Sequence, residues 1–253
     1  ACLKSVLTDP DVPINDGSTR AIKVTAPKGS ILNPLPPAPV RARLLPSYRV
    51  FNAVMMALSK VVPEKVIAPG YDTTTAACLS EFRDGKYNIY LEIFGGGYGG
   101  GVASDGCDGV DCALSNCSNI PMEAMELDYG FFRVENYALI PNSGGKGKHR
   151  GGLGFEKSYR ILEDGITFAT YGDRFRIAPE GVFGGGPGRH AENLIERDGE
   201  TIRVGSKAGV ELKKGDLLIM RTGGGGGYGD TIERDEKLKV RDLEEGLTTL
   251  AAE

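Results

Sequence analysis

The sequence predicts an α+β protein, rich in β-strand, built mainly of antiparallel hairpins with few helices and long glycine-rich loops. Three observations carry this. Short runs of β-forming residues recur, several of them joined by Asp-Gly pairs. Only one stretch has a clear helical period. Glycine accounts for 37 of 253 residues, about twice the usual share.

Taken in order, Ala1 to Thr8 reads as the tail of an amphipathic element. With no methionine at its start, the chain is expected to be a fragment or a processed subunit. Asp9 to Arg20 is turn chemistry: Asp-Pro, Val-Pro and Asn-Asp-Gly. Ala21 to Thr25 alternates as a short strand does. From Pro27, four further prolines (Pro34, Pro36, Pro37 and Pro39) keep the chain extended. That segment is either a rigid connector or a subunit-docking arm. The helix is expected over Ser47 to Val62, with Val50, Val54, Ala57, Leu58 and Val61 as its apolar stripe. Phe51, Met55 and Met56 widen the buried face, and Pro63 ends the helix.

Strands follow at Leu79 to Arg83 and Lys86 to Phe94, joined through Asp84-Gly85. A helical turn is expected at Glu123 to Met125, after Pro121, and a long strand or strand pair at Phe131 to Ile140. Phe155 to Leu162 and Ile166 to Tyr171 read as a hairpin through Glu163-Asp164-Gly165. Asn193 to Arg197 and Thr201 to Val204 read as another through Asp198-Gly199. Asp216 to Arg221 is the last strand, and Glu233 to Leu247 a second helix. Residues 1–253 are read as one region, with a division into two β-rich lobes near residues 140–155.

The net charge of −4 gives no nucleic-acid footprint. No apolar run approaches the roughly 20 residues of a membrane span, and no signal peptide is visible. Five cysteines in a chain this long do not form a disulfide framework. The cytoplasm is the default compartment.

The chemistry concentrates between Glu92 and Gly154. There EIFGGGYGGG, SDGCDGVDCALSNCSN and NSGGKGKHRGGLG follow one another. The first run follows a strand but lacks the helix and distant acid of a dinucleotide fingerprint, and GGGGGYGD fails the same test. NSGGKGKHRGG lacks the Ser or Thr after lysine that a magnesium-holding phosphate loop requires. Its cations Lys148 and Arg150, with Gly144 and Gly145 beside them, still suit a phosphate or carboxylate; a tight basic surface turn accounts for them equally. His149 is the candidate proton carrier. Asp105, Asp108 and Asp111 serve as bases, as ligands or as turn caps. Cys107, Cys112 and Cys117 lie five apart, without the second pair a zinc site needs, so this chain is expected to hold no metal.

Taken together, these motifs resemble a family. PINDGSTR, APKGSILNPLPPAPVRAR, EIFGGGYGGG, DGCDGVD, the Asn116, Asn119, Pro121 and Glu123 pattern, NSGGKGKHRGGLG and GGGGGYGD occur in the order of the C-terminal part of the hydantoinase B family. That family includes one half of ATP-dependent 5-oxoprolinases and the related subunits of acetone and acetophenone carboxylases. The resemblance covers roughly Pro10 to Asp230. It implies a subunit of an ATP-dependent cyclic amidohydrolase acting on hydantoin, N-methylhydantoin or 5-oxoproline. The alternatives it leaves are a ketone carboxylase subunit or a non-catalytic scaffold fragment.

The resemblance also implies partners. One is a hydantoinase A-type subunit that binds ATP, and another is the N-terminal half of this chain's own subunit, where the family's divalent-metal ligands lie. His149, Asp105 and Asp108 are the catalytic candidates; Lys148, Arg150, Gly144 and Gly145 are the substrate- or phosphate-binding candidates. The sequence departs from the family at Asn142, where the family usually has Asp, and in the looser glycine run before the cysteines. The tail from Glu233 is also shorter than the family's usual ending.

Overall fold

A computed structural model describes residues 2–9, 11–13, 15–40, 42–111, 115 and 120–249. The chain falls into two compact units, Ala1–Val66 and Ile67–Glu253; residues 140–155 lie inside the second.

In the first unit, α1 (Cys2–Leu7) packs against α2 (Leu44–Leu58). α2 starts three residues earlier than the sequence suggests, because Pro46 sits in the first turn, where its missing N–H leaves no bond unmade. The helix stops at Leu58, and its buried face is Tyr48, Asn52 and Met55 rather than the expected stripe. Both sets have three- and four-residue spacing; the one carrying the bulkier side chains turns inward, leaving Val50, Ala57 and Val61 exposed. The strand expected at Ala21 to Thr25 is not formed. An alternating sequence becomes a strand only beside a partner strand, and among the described residues this segment has none.

The second unit holds two antiparallel sheets. Strands β1 (Thr75–Arg83), β2 (Lys86–Phe94), β5 (Ile166–Tyr171) and β8 (Lys207–Leu212) form one, in the order β2-β1-β5-β8. Strands β3 (Phe132–Leu139), β4 (Phe155–Ile161), β6 (Glu192–Arg197), β7 (Glu200–Val204) and β9 (Leu217–Arg221) form the other, in the order β3-β4-β9-β6-β7. Asp84-Gly85 and Asp198-Gly199 make the expected two-residue hairpins, with positive φ at all four residues. The third expected hairpin is absent. Strand β4 has β3 on one edge and β9 on the other, so no edge is left for β5. Glu163 to Gly165 instead carry the chain from one sheet to the other. Helices α3 (Met122–Asp128) and α4 (Glu236–Glu244) complete the unit.

Leu79, Tyr90, Phe94 and Phe168 of one sheet meet Phe132, Phe155, Tyr159 and Leu218 of the other in a shared core, closed by Met125 of α3. A charged pair sits inside it. Lys157 of β4 is fully buried, and its Nζ donates to both carboxylate oxygens of Glu92 on β2, at 2.9 and 2.7 Å. The Tyr90 and Tyr159 hydroxyls donate to Glu92 Oε2 as well. Burial lowers the Lys157 pKa and the Glu92 charge pulls it back only in part. Burial and the same carboxylate raise both phenols, which therefore remain donors.

Beyond the strand ends the chain is held by glycine. The Gly97 N–H donates to Gly223 O at 3.0 Å, Gly100 N–H to Gly226 O at 2.9 Å, Gly145 N–H to Gly225 O at 2.8 Å and Gly225 N–H to Gly152 O at 2.9 Å. These extended segments lie so close that a methyl at Gly97 would overlap the carbonyl of Gly152, and one at Gly225 the carbonyl of Tyr98. Neither residue has a positive φ; close approach of backbones, not turn geometry, requires glycine at both.

Substitutions at these packed positions should be costly. Gly97→Ala and Gly225→Ala should each destabilise the fold by about 3 kcal/mol or more, measured by urea unfolding. Gly130→Ala, where an added methyl meets nothing within 4 Å, should be near neutral. Lys157→Met leaves the Glu92 carboxylate buried and unpaired, and should cost about 3–5 kcal/mol. Adding Glu92→Leu to Lys157→Met should recover most of that loss.

Candidate functional site

The loop from Asn142 to Gly154 joins β3 to β4 and is fixed at both ends. At its start, Ser143 Oγ donates to Ile140 O at 2.6 Å and accepts the Gly154 N–H at 2.9 Å. Asn142, at φ 59°, donates through Nδ2 to Thr249 Oγ1 at 2.8 Å and accepts the Thr249 N–H at 3.1 Å. Further along, His149 and Tyr228 exchange both backbone hydrogen bonds, at 3.0 and 2.9 Å.

Around Arg150 six charged side chains interlock. Arg150 is buried and grips Asp108 with both terminal nitrogens, Nη1 at 2.6 Å and Nη2 at 3.0 Å, while its Nε reaches Asp242 at 3.4 Å. Asp108 also accepts the Leu153 N–H at 2.7 Å. Asp105 accepts the Arg150 N–H at 2.8 Å, both terminal nitrogens of Arg234 at 2.7 and 2.9 Å, and Arg241 at 3.3 Å. Arg234 closes the ring through Asp242 at 2.5 Å. Burial pushes the Asp105 carboxyl up, but the hydrogen bonds and charges of Arg234 and Arg150 outweigh it and hold the pKa below the ordinary value.

Of the expected residues, Asp105, Asp108 and Arg150 share this network and His149 adjoins it, while Gly144 and Arg150, but not His149 or Lys148, line the neighbouring cavity. His149 is mostly buried, with 13% of its side chain exposed; its Nδ1 has no hydrogen-bond partner and lies 3.8 Å from Asp105 Oδ1. Lys148 is half-exposed, with Nζ 3.1 Å from Glu233. Gly145 is buried and its N–H is taken by Gly225, whereas Gly144 lines a cavity. That cavity, about 430 Å³, lies between the loop and the C-terminal segment, with Lys146, Arg150, Arg234 and Thr249 on its wall. Arg234, Arg241 and Asp242 were not singled out from the sequence, which placed them only within the helix expected at Glu233 to Leu247.

Among the described residues, no group of three or more His, Cys, Asp or Glu is arranged to hold a metal ion. Asp105, Asp108 and Asp242 are occupied by arginines instead. Cys107 is an exposed free thiol; Cys112, Cys117, Asn116 and Asn119 lie outside the described residues. No helix is long and apolar enough to cross a membrane among those residues.

The Hydantoinase B/oxoprolinase family profile matches residues 1–231. The chain belongs to that family. It is 36% identical over 255 residues to the B-type subunit of a putative D-/L-hydantoinase of Pseudomonas sp., covering 98% of this chain and 42% of that one. It is 31% identical over 234 residues to 5-oxoprolinase 1 of Arabidopsis thaliana, covering 91% of this chain and 17% of that protein. An ATP-dependent caprolactamase from Pseudomonas jessenii shares the fold, with a TM-score of 0.84 at 23% identity over 98% of this chain and 45% of that chain. The chain therefore spans less than half the length of these family relatives.

The ion network should make the fold acid-sensitive. Because the folded-state pKa of Asp105 is lowered, its contribution is fully present above the unfolded value of about 3.9 and is lost as pH falls through the folded value. Asp105→Asn should be less stable than the parent at pH 7 by about 3–5 kcal/mol. In thermal melts from pH 7 to pH 2.5 that gap should close on the acid side.

Proposed function

We infer that this chain works as the C-terminal part of a hydantoinase B-type subunit in an ATP-dependent cyclic amidohydrolase, opening the ring of a hydantoin, an N-methylhydantoin or 5-oxoproline. The family match supports this reading, together with relatives described as the B-type subunit of a hydantoinase and as a 5-oxoprolinase. Two partners complete the enzyme. One is an ATP-binding hydantoinase A-type subunit; the other is polypeptide corresponding to the part of the relatives that this chain does not match. A divalent metal, where the enzyme uses one, is held by that other polypeptide. The work takes place in the cytoplasm.

The chemistry explains the need for ATP. Resonance stabilises an unstrained cyclic amide against water, and phosphorylation of the amide oxygen, supplied by ATP on the partner, removes that stabilisation. This chain's residues then have three tasks. Lys148 and the cavity wall at Gly144 and Arg150 meet the anionic end of the substrate or its phosphorylated form. Arg150 is kept in place by Asp108. Water adds to the carbon of the phosphorylated amide, His149 carries a proton to the ring nitrogen as the C–N bond opens, and phosphate leaves as the carboxylate forms; Asp105, 3.8 Å from Nδ1, stabilises the imidazolium. The observation that carries this assignment is the nearly buried imidazole with an unpaired Nδ1 facing a carboxylate.

The test is ATP hydrolysis by the reconstituted complex with hydantoin, N-methylhydantoin or 5-oxoproline, and with acetone plus bicarbonate as the contrasting arm. Stimulation by one cyclic amide is expected. His149→Ala should reduce that turnover by about 100-fold or more while the complex still assembles. Full activity in the variant removes His149 from the mechanism; stimulation only by acetone and bicarbonate replaces the hydrolase reading with a carboxylase.

A further inference from the structure

Two parts of this chain lack the partner that their chemistry calls for. The first is the outer edge of β2. Of the four edge strands, the other three carry the devices that keep edges from pairing. Strand β3 is interrupted by a register shift between Val134 and Asn136 and carries Arg133 and Glu135. Strand β7 has only five residues and includes Glu200 and Arg203. Strand β8 exposes Lys207, Gly209 and Glu211. Strand β2 runs for nine residues in unbroken register with β1, without proline or bulge. Its charges are Lys86, exposed at its first position, and Glu92, turned into the core, so the stretch from Tyr87 to Leu91 carries none. At alternate positions it presents Tyr87, Ile89 and Leu91 on its outer face, 71%, 52% and 46% exposed, with Phe82 of β1 directly opposite Tyr87.

The second part is the segment Arg20 to Ala26. Its alternation of Ile22 and Val24 with Lys23 and Thr25 is that of a strand, yet it pairs with no strand among the described residues, and Val24 is 85% exposed. A hydrogen-bonded turn follows it: Asn33 Nδ2 donates to Ala26 O at 3.0 Å and Gly29 N–H to Asn33 O at 2.8 Å. With the prolines beyond, this turn leaves little chain entropy to lose on docking.

We propose that residues 20–26 of one copy add as a strand to the open edge of β2 in a second copy, and that the exchange is reciprocal, giving a two-fold dimer. Ile22 and Val24 then extend the apolar face of Tyr87, Ile89 and Leu91, and backbone hydrogen bonds satisfy the outer edge of β2. Charge selects a second copy as the occupant. Residues 20–43 hold five cations (Arg20, Lys23, Lys28, Arg41 and Arg43) and no carboxylate, in a chain of net charge −4, so the remainder carries −9. A cationic arm is drawn to an anionic body of its own kind and is screened by salt. This inference does not depend on the proposed activity.

Sedimentation equilibrium of this 253-residue chain from about 5 to 100 μM tests it. The expected mass at the upper end is twice 26.9 kDa, falling toward the monomer in 0.5 M NaCl. Val24→Asp in the arm and Ile89→Asp on the exposed face of β2 should each weaken association at least tenfold, with unchanged circular dichroism; Val24→Ile should keep it. Hydrogen exchange should show concentration-dependent protection at residues 22–25. A monomer throughout the range, or a dimer indifferent to both aspartate variants, overturns the proposal. So does protection of residues 22–25 in a monomer, which would mean that the arm pairs within its own chain.

Discussion

Backbone meeting backbone without side chains between is the constraint on which the second unit depends. The glycine runs follow strands β2 and β9 and precede β4, and they meet where Gly97, Gly152 and Gly225 lie against one another. A composition that suggests slack chain is here a close-packed layer held by interstrand amide bonds. Many of its N–H groups are already committed; Gly145, for instance, donates to Gly225. This is why runs that look like phosphate loops need not bind phosphate through their backbone. The same layer fixes His149, whose main chain is paired to Tyr228, so the imidazole is positioned by its backbone rather than by a flexible turn.

Two buried charge clusters also shape this unit, and they act differently. Glu92 and Lys157 join the two sheets through one ion pair wrapped in phenols and apolar rings. A pair of this kind adds little net stability, because desolvation offsets attraction, but it penalises any register that separates the two charges. The arginine–aspartate ring around Arg150 lies nearer the surface. It ties three distant parts of the chain together: the turn at Asp105 and Asp108, the loop at Arg150, and the C-terminal helix at Asp242. The walls of the adjacent cavity are therefore set by electrostatics, and the walls of the core by packing.

Much of the architecture was legible in local sequence. The Asp84-Gly85 and Asp198-Gly199 turns gave two hairpins because a two-residue loop with positive φ at both positions admits little else. Strand β2 was read over its full length from its β-forming residues. Strand β8 was missed, since its alternation runs through Ala208 and Val210 beside Gly209 and carries little apolar weight. The Glu163 to Gly165 turn misled for a different reason: turn residues report that the chain reverses, not which sheet it enters next. At the candidate site, glycine beside Asp, His and Arg marked the right loop. Arg234 and Asp242 were invisible because their meaning lies in partners more than 80 residues away, such as Asp105 and Arg150.

The glycine layer also bears on how the protein is made. Gly97 and Gly100 bond to Gly223 and Gly226, and Gly226 bonds back to Pro69. None of these contacts can form until the last glycine run has left the ribosome. At about 5–20 residues per second, the earlier runs wait on the order of ten seconds. During that time the β1–β2 hairpin is complete and the two earlier runs can bond to each other, as the Gly152 N–H does to Tyr98 O, but their bonds to the last run are missing. Maturation is thus gated by the stretch synthesised after β9, and a nascent chain halted before it lacks the bonds that tie the run after β2 to the run after β9.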